Sequence, residues 1–231
     1  MQDEIVARVA GALNAPLMAA EAQRAERSAA PASIDLYFQG MAWVNKGLRP
    51  DWLEQARSCF EKARADDDSN LEALIGIAMV DTLRGVACAG DNPAGALESA
   101  ESLLTDALSL SPDHAWAHCL MAAVLISTRR AERGIMECER ALSLNPSLAS
   151  ARAMLGLAKY LLGRGEETEG HVEEALRLSP LDTFAYLWML FAGVAKIQTE
   201  EYDKALEWLR RSIDTNPILL GPISTWELRS S

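Results

Sequence analysis

The chain has three histidines, His114, His118 and His171, and four cysteines, Cys59, Cys88, Cys119 and Cys138. His114 and His118 stand four residues apart, so on a helix they share a face, with Cys119 beside one of them. A structural zinc site needs four converging ligands, and this set falls short. His118 falls at a large core position of a helix and His114 at a helix start, so no metal is expected. The cysteines are scattered without a CxxC pair, which reads as reduced thiols inside helices. Acid pairs such as Glu166 with Glu167 and Glu173 with Glu174 lie on solvated helical surfaces, whereas a general acid needs a cleft that desolvates it. GxSxG, HExxH and a phosphate-cradling glycine loop are all absent from the sequence. The expectation is a non-catalytic chain with no cofactor.

Composition narrows the partners. A net charge of −11 opposes binding to phosphate backbones, and Arg129, Arg130 and Arg133 make only a small basic spot. No apolar run approaches the ~18 residues of a membrane span, and residues 1–20 lack the layout of a secretory signal. The reading is a cytoplasmic protein that binds neither nucleic acid nor membrane. The 49% of apolar residues suffices for an extended core over 231 residues.

The elements come from a repeat. SLSPDHAWAH, SLNPSLASAR and RLSPLDTFAY are near-copies whose prolines, Pro112, Pro146 and Pro180, lie 34 residues apart, with Pro217 following after 37. This period, with alanine and a large apolar residue ahead of each proline, resembles the tetratricopeptide repeat (TPR), a helix–turn–helix unit of 34 residues. Leu155, Gly156, Gly163, Val172, Ala175 and Pro180 carry the pattern in one unit, and Met121, Ala122, Leu125, Cys138, Ala141 and Pro146 in the one before. The later unit has Tyr186, Met189, Ala205, Leu209 and Pro217; upstream stand Leu74, Ile77, Ala78, Gly85, Ala100, Leu104 and Ala107, then Ala56, Phe60, Ala63 and Asp68. Arg152, Lys159, Thr168 and Gly134 depart from it. The resemblance implies an all-α, right-handed α-solenoid of about five units, near residues 33–68, 71–112, 115–146, 149–180 and 183–217. Each proline lacks an N–H and stops one helix before the next starts.

Two connections are long: GLRPD at 47–51 and VACAGDNPAGAL at 86–97, the latter with Asp91 or Asn92 as a cap before Pro93. Both fall between the two helices of a unit, on one edge. The stretch 33-SIDLYFQGMAW-43 looks like a tag-removal protease site followed by a start codon. It nevertheless keeps the phase of the repeat, with Leu36, Gln39, Gly40 and Trp43 at pattern positions and Gly47 closing the helix, so it is expected to be the first helix of unit one. Residues 1–31 precede the repeat; Ile5, Val9, Leu13 and Leu17 recur every four residues, marking an amphipathic helix that runs into a linker. Residues 218–231 start a sixth unit or form a tail.

Proteins of this repeat class line a concave face with the first helix of each unit. In the phase above, that face is expected to hold Tyr37, Met41, Val44, Asn45, Ile75, Met79, Trp116, Cys119, Ile126, Leu157, Tyr160, Phe184, Leu187 and Phe191. It has hardly any cations, so an acidic C-terminal tail is not the expected ligand. An amphipathic helix from another protein, the chain's own residues 2–15, its C-terminal tail or a second copy would suit an apolar groove. Packing within and between units is the alternative for each side chain.

The opening MQDEIVARVAGALNAPLMAAEAQRAERS, followed by DLYFQGMA, resembles the junction in bacterial multidomain signalling proteins of the class III adenylate/guanylate cyclase group. There the last helix of a TolB-like segment, matched here by Gln2 to Leu13, leads into TPRs. That resemblance implies a scaffolding or regulatory module downstream of a cyclase-like domain. A free-standing TPR adaptor or chaperone-like binder is the competing expectation.

Overall fold

The computed structural model describes residues 33–88 and 92–216. They form ten α-helices and, among the described residues, no strand. In chain order these are α1 (Ser33–Val44), α2 (Pro50–Asp66), α3 (Leu71–Val86), α4 (Pro93–Leu110), α5 (Ala115–Ser127), α6 (Ala131–Leu144), α7 (Ala149–Leu161), α8 (Thr168–Leu178), α9 (Ala185–Gln198) and α10 (Tyr202–Thr215). A 3-10 turn at Gly165–Glu167 leads into α8. The expected helix at 1–31, the segment 218–231, Pro217 and the cap Asp91 lie outside the described residues.

Sequence punctuation explains the boundaries. The helices ahead of Pro112, Pro146 and Pro180 end at Leu110, Leu144 and Leu178, and the next begin at Ala115, Ala149 and Ala185. Asn92 caps α4 by accepting from the Gly95 N–H at 2.9 Å, with Pro93 in the first turn where its missing N–H costs nothing. Asn70 does the same for α3, accepting from the Ala73 N–H at 2.9 Å. Among the described residues, the turn inside every helix pair has one residue in the left-handed region: Gly47 at φ 126°, Cys88 at 49°, Arg129 at 62°, Gly163 at 79° and Glu200 at 61°. Glycine takes that conformation freely, and the three other side chains adopt it under strain.

Each odd-numbered helix packs along its even-numbered successor, and each even-numbered one against the next odd-numbered helix. Odd-numbered helices also touch one another in series, α1 to α3, α3 to α5, α5 to α7 and α7 to α9, whereas even-numbered helices do not. A layer whose helices meet directly lies on the inside of a curve. The architecture is therefore an all-α solenoid with the first helix of each pair on its concave side.

Close packing of the pairs depends on small residues. Phe60, fully buried on α2, lies between Gly40 on α1 and Gly76 on α3, where built Cβ atoms would come within 2.5 Å and 2.6 Å of its ring. The Tyr37 ring lies 5.8 Å from that of Phe60. The LYFQG stretch is thus part of the core of unit one. Charged groups tie units together from the side. Arg57 of α2 pairs with the buried Asp81 of α3, which also accepts from Ser99 Oγ of α4 at 2.7 Å. Lys196 of α9, only 4% exposed, reaches Glu169 of α8 at 2.7 Å and Glu201 beside α10 at 2.8 Å. Such a buried ammonium is tolerated because both carboxylates compensate its lost hydration.

Candidate functional site

The concave layer is built from α1, α3, α5, α7 and α9, and its depth depends on how tightly these helices approach. α3 is apolar all round and is buried from Ala73 to Thr82, because α1, α2, α4 and α5 contact it from every side. Ile75 (1% exposed) and Met79 (3%) therefore belong to the core and present nothing to a ligand. The same correction applies to Val44, Cys119 and Ile126, each at most 2% exposed. Facing the concave side does not mean reaching its surface when neighbouring helices of the layer are in contact.

The other nine residues are partly exposed: Tyr37, Met41, Asn45, Trp116, Leu157, Tyr160, Phe184, Leu187 and Phe191. They fall into two groups. Tyr37, Met41, Trp116 and Phe184 pack against one core cluster that runs from Val44 through Leu74 and Val80 to Leu125. Phe184, at the start of the fifth helix pair, thus packs against a cluster built from the first three. Thr183 Oγ1 donates to the Asn45 carbonyl oxygen at 3.4 Å, joining the fifth pair to the turn of the first across 138 positions. At this end the fifth unit touches the first. Leu187 and Phe191 form the second group, while Leu157 packs against a separate cluster with Ala122 and Ile126 of α5 and Leu155 of α7. Leu187 and Phe191 pack at the rim of a cluster containing Ala149 and Ala153 of α7.

The electrostatics of the face are those of an apolar surface. Burial, helped by the charge of Glu72, pushes the Tyr37 hydroxyl up to about 12. Burial raises the Cys119 thiol, and it lifts the Asp182 carboxyl even though the Phe184 N–H donates to it at 2.9 Å and Ser179 Oγ at 3.3 Å. In all three groups burial favours the protonated form. Two of the three histidines are engaged elsewhere. His114 Nδ1 accepts from the Ala117 N–H at 3.2 Å, capping α5, and Nε2 lies 3.0 Å from Glu72. His118 lies between Glu137 and the Pro112 carbonyl. Among the described residues no group of three or more His, Cys, Asp or Glu could hold a metal ion.

No protein-family model matches the chain. Solved structures do. TTC0263, a thermophilic TPR protein of Thermus thermophilus, aligns with a TM-score of 0.64 at 16% identity, over 80% of this chain and 92% of that one. The fold is a TPR solenoid. MamA from residue 41 to its end, of Desulfovibrio magneticus RS-1, gives 0.50 at 18% identity, over 79% and 96%. YrrB, a TPR protein with an unusual peptide-binding site, gives 0.47 at 20% identity, over 87% and 92%. Contact between the first and fifth TPR units has no local sequence signal, since it depends on curvature accumulated over the intervening helices. Among the described residues no helix is long and apolar enough to cross a membrane.

Proposed function

We propose that the chain is a non-catalytic protein-interaction module that receives an apolar or amphipathic helical segment on the concave side of α7 and α9. The observation that carries this is the partly exposed set Leu157, Tyr160, Leu187 and Phe191, large side chains grouped on adjacent helices of the inner layer. Aromatic and aliphatic anchors at helical spacing are the features that hold an amphipathic helix in a groove. Tyr37, Met41, Trp116 and Phe184, also partly exposed, line the remainder.

The experiment compares capture by the intact chain with capture by a Tyr160→Ala/Phe191→Ala variant whose fold is verified by circular dichroism and thermal unfolding. A specific partner is expected to be lost from the variant. A partner retained at full level refutes the groove. Self-association is the second occupant to test, by light scattering across concentration: a mass that rises with concentration in the intact chain and not in the variant assigns the groove to a second copy.

The resemblance of Gln2 to Leu13 to the end of a TolB-like segment supports a finer reading, regulation of an upstream cyclase-like domain. An in-frame cyclase-like domain encoded ahead of Met1 is the expected finding; a reading frame that starts there favours a free-standing adaptor or chaperone-like binder.

A further inference from the structure

Each helix pair turns on one left-handed residue, and two places before it, at the end of the concave helix, stand Asn45, Val86, Ser127, Leu161 and Gln198 in turn. The matching turns make these positions equivalent, and units four and five use them in opposite ways. Gln198 of unit five reaches back to unit four: its Nε2 donates to the Tyr160 carbonyl oxygen at 3.2 Å, and its Oε1 would lie 2.5 Å from a Cβ built on Gly165. That side chain fills the space between the two turns. Leu161, in the same seat one unit earlier, has no polar atom with which to bridge. It stays 51% exposed, and a cavity of about 590 Å³ opens beside it, between the turn of unit three and the end of α7.

Ile126 and Ala131 are buried in the floor of this cavity, and Ala131 holds the place that Gly165 has under Gln198. Leu157, Leu161 and Leu162 form the wall contributed by unit four. Clefts that hold ligands run from about 300 to 1,000 Å³, and they combine an apolar lining with a few polar groups. Here the polar group is Arg129, an exposed residue of the lining. The cations around it are engaged: Arg130 holds Glu101 of α4 through two bonds at 2.7 and 2.6 Å, and Arg164 and Lys159 share Glu167 at 2.5 and 3.3 Å. Arg129 pairs with no acid among the described residues. Because the chain carries a charge of −11, a partner crowded with acids is repelled overall, so the complement of this place is a single carboxylate beside an aliphatic group. Leu157 belongs both to the lining and to the partly exposed concave set, so the cavity adjoins the face that receives the partner.

We propose that the cavity between units three and four takes a large aliphatic side chain of the partner helix, with an aspartate or glutamate one turn away on that helix paired to Arg129. This site presupposes the protein-binding reading above and gives it a register, since a side chain that enters between two turns fixes where the helix lies along α5 and α7.

4-Methylpentanoate joins a leucine-like branch to a carboxylate and serves as the probe. It is titrated into the methyl-labelled full chain at constant ionic strength, with the leucine and alanine methyl signals followed by NMR. Saturable shifts are expected at Ala131, Leu157, Leu161 and Leu162, while Leu53 and Leu187 stay in place. The neutral 4-methylpentanamide is expected to bind about threefold more weakly, the size of one exposed ion pair. Arg129→Gly is expected to lose the same factor while raising the unfolding midpoint, because it also relieves the left-handed backbone, so its weaker binding does not come from a damaged fold. Leu161→Gln, which copies Gln198, is expected to close the cavity and abolish the shifts. Absent shifts, shifts that persist in full in Leu161→Gln, or equal affinities for acid and amide overturn the proposal. Equal responses to acetate or inorganic phosphate also overturn it, in favour of a simple anion site. Leu161 and Leu162 signals that move with protein concentration alone assign the cavity to a second copy instead. A partner lost from Tyr160→Ala/Phe191→Ala but held at full affinity by Leu161→Gln overturns the cavity and leaves the groove standing, whereas probe binding by a chain whose partner survives Tyr160→Ala/Phe191→Ala supports the cavity after the groove has failed.

Discussion

Gly40→Ala tests whether residues 33–44 pack as the first helix of the solenoid, and two opposing effects decide its sign. Alanine is the better helix former by about 1 kcal/mol, so on an exposed helix the substitution would stabilise. Here the new methyl would lie 2.5 Å from Phe60 Cε1 and 2.7 Å from Cζ. The ring cannot bend. It cannot slide away either, because its opposite side meets α3 at Gly76, where a built Cβ would be 2.6 Å from Cδ1. Overpacking of this kind costs about 1–3 kcal/mol. With the ring held on both sides the upper part of that range applies, leaving a net loss of about 1–2 kcal/mol once helix propensity is subtracted. Phe60→Leu in the same chain makes room for the methyl, so the double variant should be more stable than the sum of the single effects by about 1 kcal/mol or more. Urea unfolding followed by both tryptophan fluorescence and circular dichroism gives the four midpoints of the cycle. A neutral or stabilising Gly40→Ala, or strict additivity with Phe60→Leu, would refute the placement of α1 against Phe60.

Arg129→Gly and Glu200→Gly should each stabilise by about 0.5–1 kcal/mol in thermal unfolding, since the strain of a left-handed non-glycine residue exceeds the entropy glycine adds to the unfolded chain; Gly163→Ala should do the opposite. Hydrogen bonds from Lys196, Lys204 and Thr199 hold the Glu201 carboxyl at about 2, below its ordinary 4.5. Its contribution is therefore complete above about pH 4.5 and lost as pH falls toward 2, and Glu201→Gln should remove that part of the acid sensitivity measured by midpoint against pH. Asp182 has the reverse sign: burial raises its folded value, so ionisation in the unfolded chain costs stability as pH rises past 3.8. Asp182→Asn, which keeps the acceptor for the Phe184 N–H, should be neutral in acid and stabilising near pH 7; a destabilised variant at neutral pH would show that the charge is needed.

Local features of the sequence carried the fold because each has a local cause. Pro112, Pro146 and Pro180 stop helices wherever they occur, Asn92 caps whatever helix Pro93 begins, and Gly40 matches the repeat phase because the position faces a ring. The groove was only half legible for the same reason. Periodicity tells which side of α3 or α5 faces inward, but the distance to the next inner helix decides whether Ile75, Met79, Cys119 and Ile126 stay reachable, and that distance is set by side chains on other units.

Curvature also determines how much of the inner face a partner can use. If the five units rose as an open coil, all the first helices would contribute to one long groove, and the lining residues alone would define the ligand. Phe184 packs instead against the core cluster of the first three units, and Thr183 bonds to Asn45, so the start of the fifth unit is linked to the turn of the first. A segment entering at α7 and α9 then meets the chain's own side chains before it reaches α1. Weakening that junction and weakening the anchors should therefore have opposite effects on a partner: Phe184→Ala lengthens the accessible face, whereas Phe191→Ala removes part of it. A long amphipathic helix should gain affinity from the first substitution and lose it from the second, while a short apolar segment should respond only to the second. Measuring both partners' affinities against both variants separates a groove limited by its length from one limited by its lining, and equal responses to Phe184→Ala would show that the junction does not restrict access.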